Sequence, residues 1–359
     1  MLRMPDLPFL RPKKQPLIGL DITSSAVKLL ELHPQGNGMK VASYGVAPIE
    51  VGAVSDRRIK DYKSVARSIQ RVVERTKPST LNAAIAVPTG VVITRTLVLP
   101  RHLDDDEMEA RVLQEADQHI PYPLNEVAVD FERQPPVNPD DESQPVLLVA
   151  CRKETTNQLD QLLLDAGLKP SVIDVENFAT ERALRLIVSQ LPGYHPGHIV
   201  AVADIGANVT TLDVLKDGKI IYSRDQIFGG KQLTDEIQRY YGLSREEAGL
   251  AKKRGNLPAD YISEILEPFK KAAVQQIQRQ LQLFYSSSAH HEIDYLILAG
   301  GSSAIEGLQQ LANHQIGAPS AVANPFSNMA ISDKVKAAAL AQDAPAMMIA
   351  CGLAMRGMT

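Results

Sequence analysis

The chain has 359 residues, 44% of them apolar and 22% charged, which suits a globular protein with room for two domains or one duplicated architecture. A net charge of −4 and a pI near 6.1 exclude the basic surface of a nucleic-acid binder or of a protein that coats anionic membranes. Cys151 and Cys351 are far apart in apolar runs and read as packing residues of a reduced compartment, and no apolar run looks long enough to cross a membrane.

Residues 1–15 are basic and broken by proline, and read as a flexible N-terminal segment without the apolar core of a signal peptide. An apolar strand then leads to Asp21-Ile22-Thr23-Ser24-Ser25 and a second apolar strand, the pattern of a buried hairpin. Helical spacing follows at 64–75, strands at 82–87 and 91–99, and an amphipathic helix at 104–120 with Met108, Val112, Leu113, Ala116 and Ile120 on its apolar stripe. Strands at 126–131 and 146–150 flank a polar, proline-rich loop, and a helix at 155–166 ends at Gly167. A strand at 172–175 and a helix at 177–189 close the first half.

The second half opens as the first did. Residues 199–215 place Asp204-Ile205-Gly206-Ala207-Asn208 between two apolar strands, with Thr210 behind the turn. A hairpin turn at 216–219, helices at 233–241, 245–254 and 259–288, and a strand at 295–298 follow. Gly300-Gly301-Ser302 leads into a helix expected from Ala304, and a small-residue helix at 345–355 ends the chain. Strands alternating with helices in both halves predict an α/β fold with a sheet in each.

Three segments carry the chemistry. A turn of small residues aims backbone N–H groups at one point and forms a nest for phosphate oxygens. A carboxylate beside such a nest makes sense when Mg²⁺ and its waters lie between it and the phosphate, which gives Asp21 and Asp204 a role as metal-side ligands through water. Each turn alone also reads as an ordinary hairpin capped by its own aspartate. The Gly300-Gly301-Ser302 junction, with a helix behind it, suits a phosphate or a ribose.

In this order, over nearly the whole chain, the segments resemble the actin-like ATPase superfamily, in which two hairpins grip the phosphates and a Gly-Gly junction lines the adenosine. The resemblance implies a duplicated, ribonuclease H-like fold with two domains flanking a nucleotide cleft. It gives residues 16–190 to a first domain joined by a C-terminal helix at 335–359, and 191–334 to a second. It implies ATP and Mg²⁺ as cofactors, held by Thr23, Ser24, Ser25, Gly206, Ala207, Asn208, Thr210, Gly300, Gly301 and Ser302. Gly229-Gly230 resembles the turn before the adenine-side helix. The 247–252 segment resembles the helix that flanks the ribose, with Lys252 as the contact and Gly249 where the pattern has an acid; a solvated charged helix is the competing reading. Glu176 is the carboxylate placed to orient a water, and ATPase activity is expected to be weak or absent.

Residues 88–168 form a βαββα insertion that resembles the FtsA-type α+β insert. Leu97–Pro100 with Glu107 and Glu115, Ile120-Pro121-Tyr122-Pro123, and Val146–Lys153 running on to Ala166-Gly167-Leu168 bring it closest to the PilM family of cytoplasmic type IV pilus assembly proteins. That resemblance implies a scaffold which binds the N-terminal cytoplasmic tail of the inner-membrane protein PilN between first domain and insert. It places the chain in the cytoplasm, recruited to the inner face of the inner membrane, in pilus biogenesis and twitching motility. An FtsA-like filament protein and a small-molecule kinase of the same fold are the alternatives.

Overall fold

The computed structural model describes residues 15–358 other than Asp56 and Val137; residues 1–14, most of the expected N-terminal segment, lie outside the described residues. The first half begins with β1 (Ile18–Ile22), β2 (Ala26–Gln35) and β3 (Gly38–Pro48), a meander whose apolar alternation points into a buried core. A small hairpin of β4 (Val54–Ser55) and β5 (Arg58–Ile59) precedes α1 (Tyr62–Thr76), which Asp61 caps by accepting from Ser64 N. β6 (Asn82–Val87) follows. Next comes an inserted unit of β7 (Val92–Pro100), α2 (Asp105–His119), β8 (Val127–Arg133), β9 (Ser143–Arg152) and α3 (Lys153–Asp165). β10 (Lys169–Val175) then runs into α4 (Glu176–Val188).

The second half has β11 (Ile199–Ile205), β12 (Thr210–Lys216), β13 (Lys219–Gln226), α5 (Gly230–Tyr241), α6 (Arg245–Arg254) and α7 (Glu267–Ser287), the last entered through a π-helical turn at Ile262–Leu266. It closes with β14 (Tyr295–Ala299), α8 (Leu308–Ile316) and β15 (Ser320–Val322). β16 (Ala330–Ile331), α9 (Ala337–Asp343) and α10 (Met348–Ala354) return to the first half.

Duplication is plain in the sheets. The first runs β10-β6-β1-β2-β3-β16 and the second β13-β12-β11-β14-β15. In each, the opening strand pairs antiparallel with its hairpin partner and parallel with the next strand (β1 with β6, β11 with β14), and a further parallel strand lies beyond. The pairing of β16 with Lys40 and Val41 of β3 brings the chain back into the first sheet by residue 330.

Several local expectations change. Leu113 is exposed although it lies near the buried stripe of Met108, Val112, Ala116 and Ile120, because the insert's sheet covers only one side of α2. Val91 falls in a 3₁₀ turn outside β7 and is exposed. The helix expected from Ala304 begins at Leu308, after a run of turns. Residues Ala337–Gly357 form a helical run of 21 residues with mean hydropathy 1.3, long and apolar enough by composition to cross a membrane, contrary to the sequence expectation; 56% of its apolar window is buried inside the fold. What buries it is the junction of the halves: α10 crosses α4 where a Cβ on Gly352 would overlap the Ala179 carbonyl, and crosses β1 where a Cβ on Gly19 would overlap the Ala350 carbonyl. Only glycine permits backbones that close.

Candidate functional site

The two hairpin turns are built alike. In the first, Thr23 N donates to Ala26 O at 2.9 Å; in the second, Gly206 N donates to Val209 O at 3.0 Å. Each donor lies two residues past an aspartate and each acceptor five. Thr23 also closes its turn with its hydroxyl, which accepts from Ala26 N at 3.1 Å and leaves Ser24 and Ser25 at the tip. Ser25 O accepts from Ile49 N, so the turn is pinned to the end of β3.

Around the second turn the remaining predicted residues converge. Gly206 O accepts from Gly230 N at 3.0 Å, Ala207 O from Lys231 N at 2.8 Å, and Ile205 O from Ser302 N at 3.1 Å. A Cβ on Gly229 would overlap the carbonyls of Gly206 and Ala207, and one on Gly230 would strike the Ser302 hydroxyl. Lys252 Nζ donates to Gly230 O at 2.7 Å and to Thr234 Oγ1 at 3.2 Å, which fixes α6 against the start of α5. Gly300 takes a left-handed φ of 85° and presses against Asp204, while Gly301 beside it is exposed. Asn208 is half-buried at the turn. Thr210 is buried, and its hydroxyl donates to Phe228 O at 3.0 Å, tying β12 to the Gly229-Gly230 turn.

Two residues that the sequence reasoning did not single out complete the electrostatics. Lys28 stands directly opposite Asp21 in the β1–β2 ladder, and its Nζ donates to Asp21 Oδ2 at 2.8 Å. Burial works against the Lys28 ammonium, yet Asp21 and then Asp204 outweigh it and hold its pKa above the ordinary value. One cation therefore serves both aspartates. Asp204 itself is raised by burial, opposed first by Lys28.

Arg57, at the tip of the β4–β5 hairpin, pairs with Glu176 at the first turn of α4 and reaches Thr211 Oγ1 at 2.6 Å and Asp225 Oδ1 at 3.2 Å on the second sheet. Burial pushes the Glu176 carboxyl up to about 7 against the pull of Arg57, with Asp21, Asp225 and Asp204 adding to the rise. Deeper still, Asp213 accepts from Ser223 Oγ at 2.6 Å, and burial drives its carboxyl to about 7.

The donor set suits a nucleotide with a hydrated Mg²⁺. It offers two carboxylates on facing turns, a lysine between them, and glycines that leave backbone bare beside them. Asp21 and Asp204 make two carboxylates, the complement that Mg²⁺ takes when phosphate and water fill its other positions.

The insert has its own features. Its sheet runs β7-β9-β8, so β7 and β8 are both edges. On β8, burial raises the pKa of Asp130 against the Phe131 backbone N–H and then Arg356, and Arg356 lies 3.6 Å from Asp174, which also pairs with Arg182. Arg356 thus acts on acids of both β8 and β10. Along β7, a groove of about 700 Å³ runs between Thr96–Pro100 and the Glu107–His119 face of α2.

Two matched halves with facing Asp turns and crossed linking helices define the actin-like ATPase fold. Solved structures agree: ethanolamine utilization protein EutJ from Carboxydothermus hydrogenoformans is 17% identical over 96% of this chain and 90% of that one, TM-score 0.55, and MreB5 of Spiroplasma citri bound to ADP is 15% identical over 88% and 93%, TM-score 0.50. The PilM component of a PilM-PilN type IV pilus biogenesis complex is nearer, at 28% identity over 97% of this chain and 100% of that one, with a TM-score of 0.77. Residues 19–358 match the model of the type IV pilus assembly protein PilM, and the chain belongs to that family.

Proposed function

We propose that this chain is an ATP-binding scaffold of type IV pilus assembly, which holds the N-terminal cytoplasmic tail of PilN and acts in pilus biogenesis and twitching motility. Membership of the PilM family and likeness to a PilM-PilN complex support the pilus role and the partner. The observation that carries the nucleotide reading is the pair of equivalent turns whose aspartates share Lys28. When bound, Mg·ATP supplies the charge that draws the two halves together. Asp21 and Asp204 would hold the hydrated cation, the backbone of the two turns would face the phosphates, and Gly229, Gly230, Lys252, Gly300 and Ser302 would frame the nucleoside. Hydrolysis is slow on this reading. Glu176 has a carboxyl pKa suited to general-base work near neutrality, but Arg57 occupies it.

The tail lies in the seam between β8 and the first domain, where Asp130, Asp174, Arg182 and Arg356 supply the charged groups. Attachment through PilN places the chain at the inner face of the inner membrane. The free edge of β7 supports a second reading of the same binding, in which the tail adds a strand along the 700 Å³ groove.

Calorimetry with Mg·ATP and with a synthetic PilN tail tests both parts. Asp21→Ala and Asp204→Ala should each weaken ATP at least tenfold, and unchanged affinity in both removes the cleft assignment. Arg356→Glu should weaken tail binding if the seam is used, and Val98→Pro should do so if β7 is; if neither matters, both placements are wrong.

A further inference from the structure

Arg57 is placed with unusual commitment for a surface-hairpin residue. It adopts φ 57°, a left-handed conformation that an arginine takes only against local preference, and which persists where surrounding contacts determine it. Those contacts are three, from two domains: Glu176 in its own half, and Thr211 and Asp225 on adjacent strands of the other. The receiving pair is already ordered, since Thr211 Oγ1 donates to Asp225 Oδ1 at 2.8 Å. The charged groups that act on the guanidinium are acids, with Glu176 and Asp225 foremost and Asp204 and Asp213 behind them. One nitrogen of the group makes none of these bonds: Arg57 Nε is buried and has no hydrogen-bond partner.

We infer that Arg57 is a strap across the cleft, which sets the angle between the halves and offers Nε–H to an anionic oxygen of the bound nucleotide. The planar guanidinium can do both because its five N–H groups point in fixed, separate directions; a lysine ammonium carries the charge without that fork. Arg57 therefore acts as a positioning residue. It holds Glu176, and through Glu176 the start of α4, in register with the second sheet, and it registers the terminal phosphate on the same group. An anion arriving at Nε–H strengthens the strap without displacing a carboxylate. The phosphate contact rests on the nucleotide reading above; the strap does not.

The experiment uses the full chain with dyes on Glu74→Cys and Arg239→Cys, exposed positions in opposite halves, in a Cys151→Ser background. Arg57→Ala should lower energy transfer between the dyes without nucleotide, and Arg57→Lys should fall between it and the parent. Calorimetry of the same proteins should show the preference for ATP over ADP reduced at least tenfold in Arg57→Ala, with ADP affinity changed less than threefold. Unchanged transfer in Arg57→Ala overturns the strap, and an unchanged ATP preference overturns the phosphate contact. If the parent binds neither nucleotide, the cleft assignment and the phosphate contact both fall, while the strap still stands or falls on the dye measurement.

Discussion

Replacing Lys28 by methionine tests the shared cation directly, because the substitution keeps the aliphatic stem and removes only the ammonium. Asp21 is 5% exposed and the Lys28 side chain 14%, so solvent does little to replace the lost partner. Breaking a buried pair by removing one member typically costs about 3–5 kcal/mol, because the remaining charge stays desolvated. At roughly 2–4 °C per kcal/mol for domains of middling size, the first melting transition should fall by about 10 °C near pH 8. The sign with pH follows from Asp204. Burial already raises its folded-state pKa, and Lys28 is the strongest influence holding it down, so in the variant it rises further. A group with a raised folded pKa favours the fold below its unfolded pKa, and that advantage is lost as pH climbs through the folded value. The deficit of Lys28→Met should therefore shrink on acidification, as Asp204 takes up a proton and no longer needs a cation. Thermal melts by circular dichroism from pH 5 to pH 8 read this out. A loss under about 1 kcal/mol, or one that does not vary with pH, would refute the shared-cation argument.

Asp213 gives a prediction of opposite sense. With a folded pKa near 7 against an unfolded value near 4, its ionisation subtracts up to about 4 kcal/mol from stability between pH 4 and pH 8. Asp213→Asn, which can still accept from Ser223, should be more stable than the parent at pH 8 and show a flatter dependence of the urea midpoint on pH; equal slopes would contradict it. Gly352→Leu should cost at least about 3 kcal/mol or prevent soluble expression, since any Cβ there meets the Ala179 carbonyl. Gly249→Glu meets open space on α6 and should stabilise the fold by about 0.5–1 kcal/mol through helix propensity alone. If α6 flanks the ribose, the same variant should bind ATP more tightly, which calorimetry would show.

What the sequence made legible was local in the chain. Each hairpin announced itself by an aspartate between apolar strands, and the amphipathic period of α2 and the apolar run of β14 followed ordinary rules. Lys28 was within reach of the same reasoning: a tight turn after Asp21 puts residue 28 opposite it, and a lysine between Val27 and Leu29 in a buried stretch calls for a partner. β3 was harder, because small residues interrupt it where it packs closely; Gly45 lies under Val72 and Thr76 of α1, where a larger side chain would collide. Arg57 was out of reach. Its partners are 119, 154 and 168 residues away, and nothing about an arginine in a short polar turn says that the turn will cross a cleft. The turns at residues 301–307 were misjudged for a related reason. Gly-Gly-Ser reads as the start of a helix, but the backbone there is claimed by Ile205 and Pro345 from other segments before a helix can begin.

The β10–α4 junction suggests how the two proposed sites communicate. Asp174 lies one residue before the end of β10, where Arg182 and Arg356 hold its carboxylate; Glu176, two residues on, begins α4 in the cleft, where Arg57 holds it. Arg182 continues the connection by donating from Nε to Gly352 O at 2.9 Å, so both linking helices share the arrangement. A change in cleft angle that moves the start of α4 must therefore move Asp174 and the seam beside β8. If so, Mg·ATP and the PilN tail should each raise the affinity for the other by one common factor, since coupling between binding sites is reciprocal; about 5–150-fold is the usual range. Asp174→Asn keeps a similar shape but weakens the hold of both arginines, and should bring the factor close to one while altering either single affinity much less. Titrations in both orders, tail into ATP-loaded protein and ATP into tail-loaded protein, measure the factor twice. An Asp174→Asn protein that retains the parent's coupling would show that the two sites do not speak through this junction.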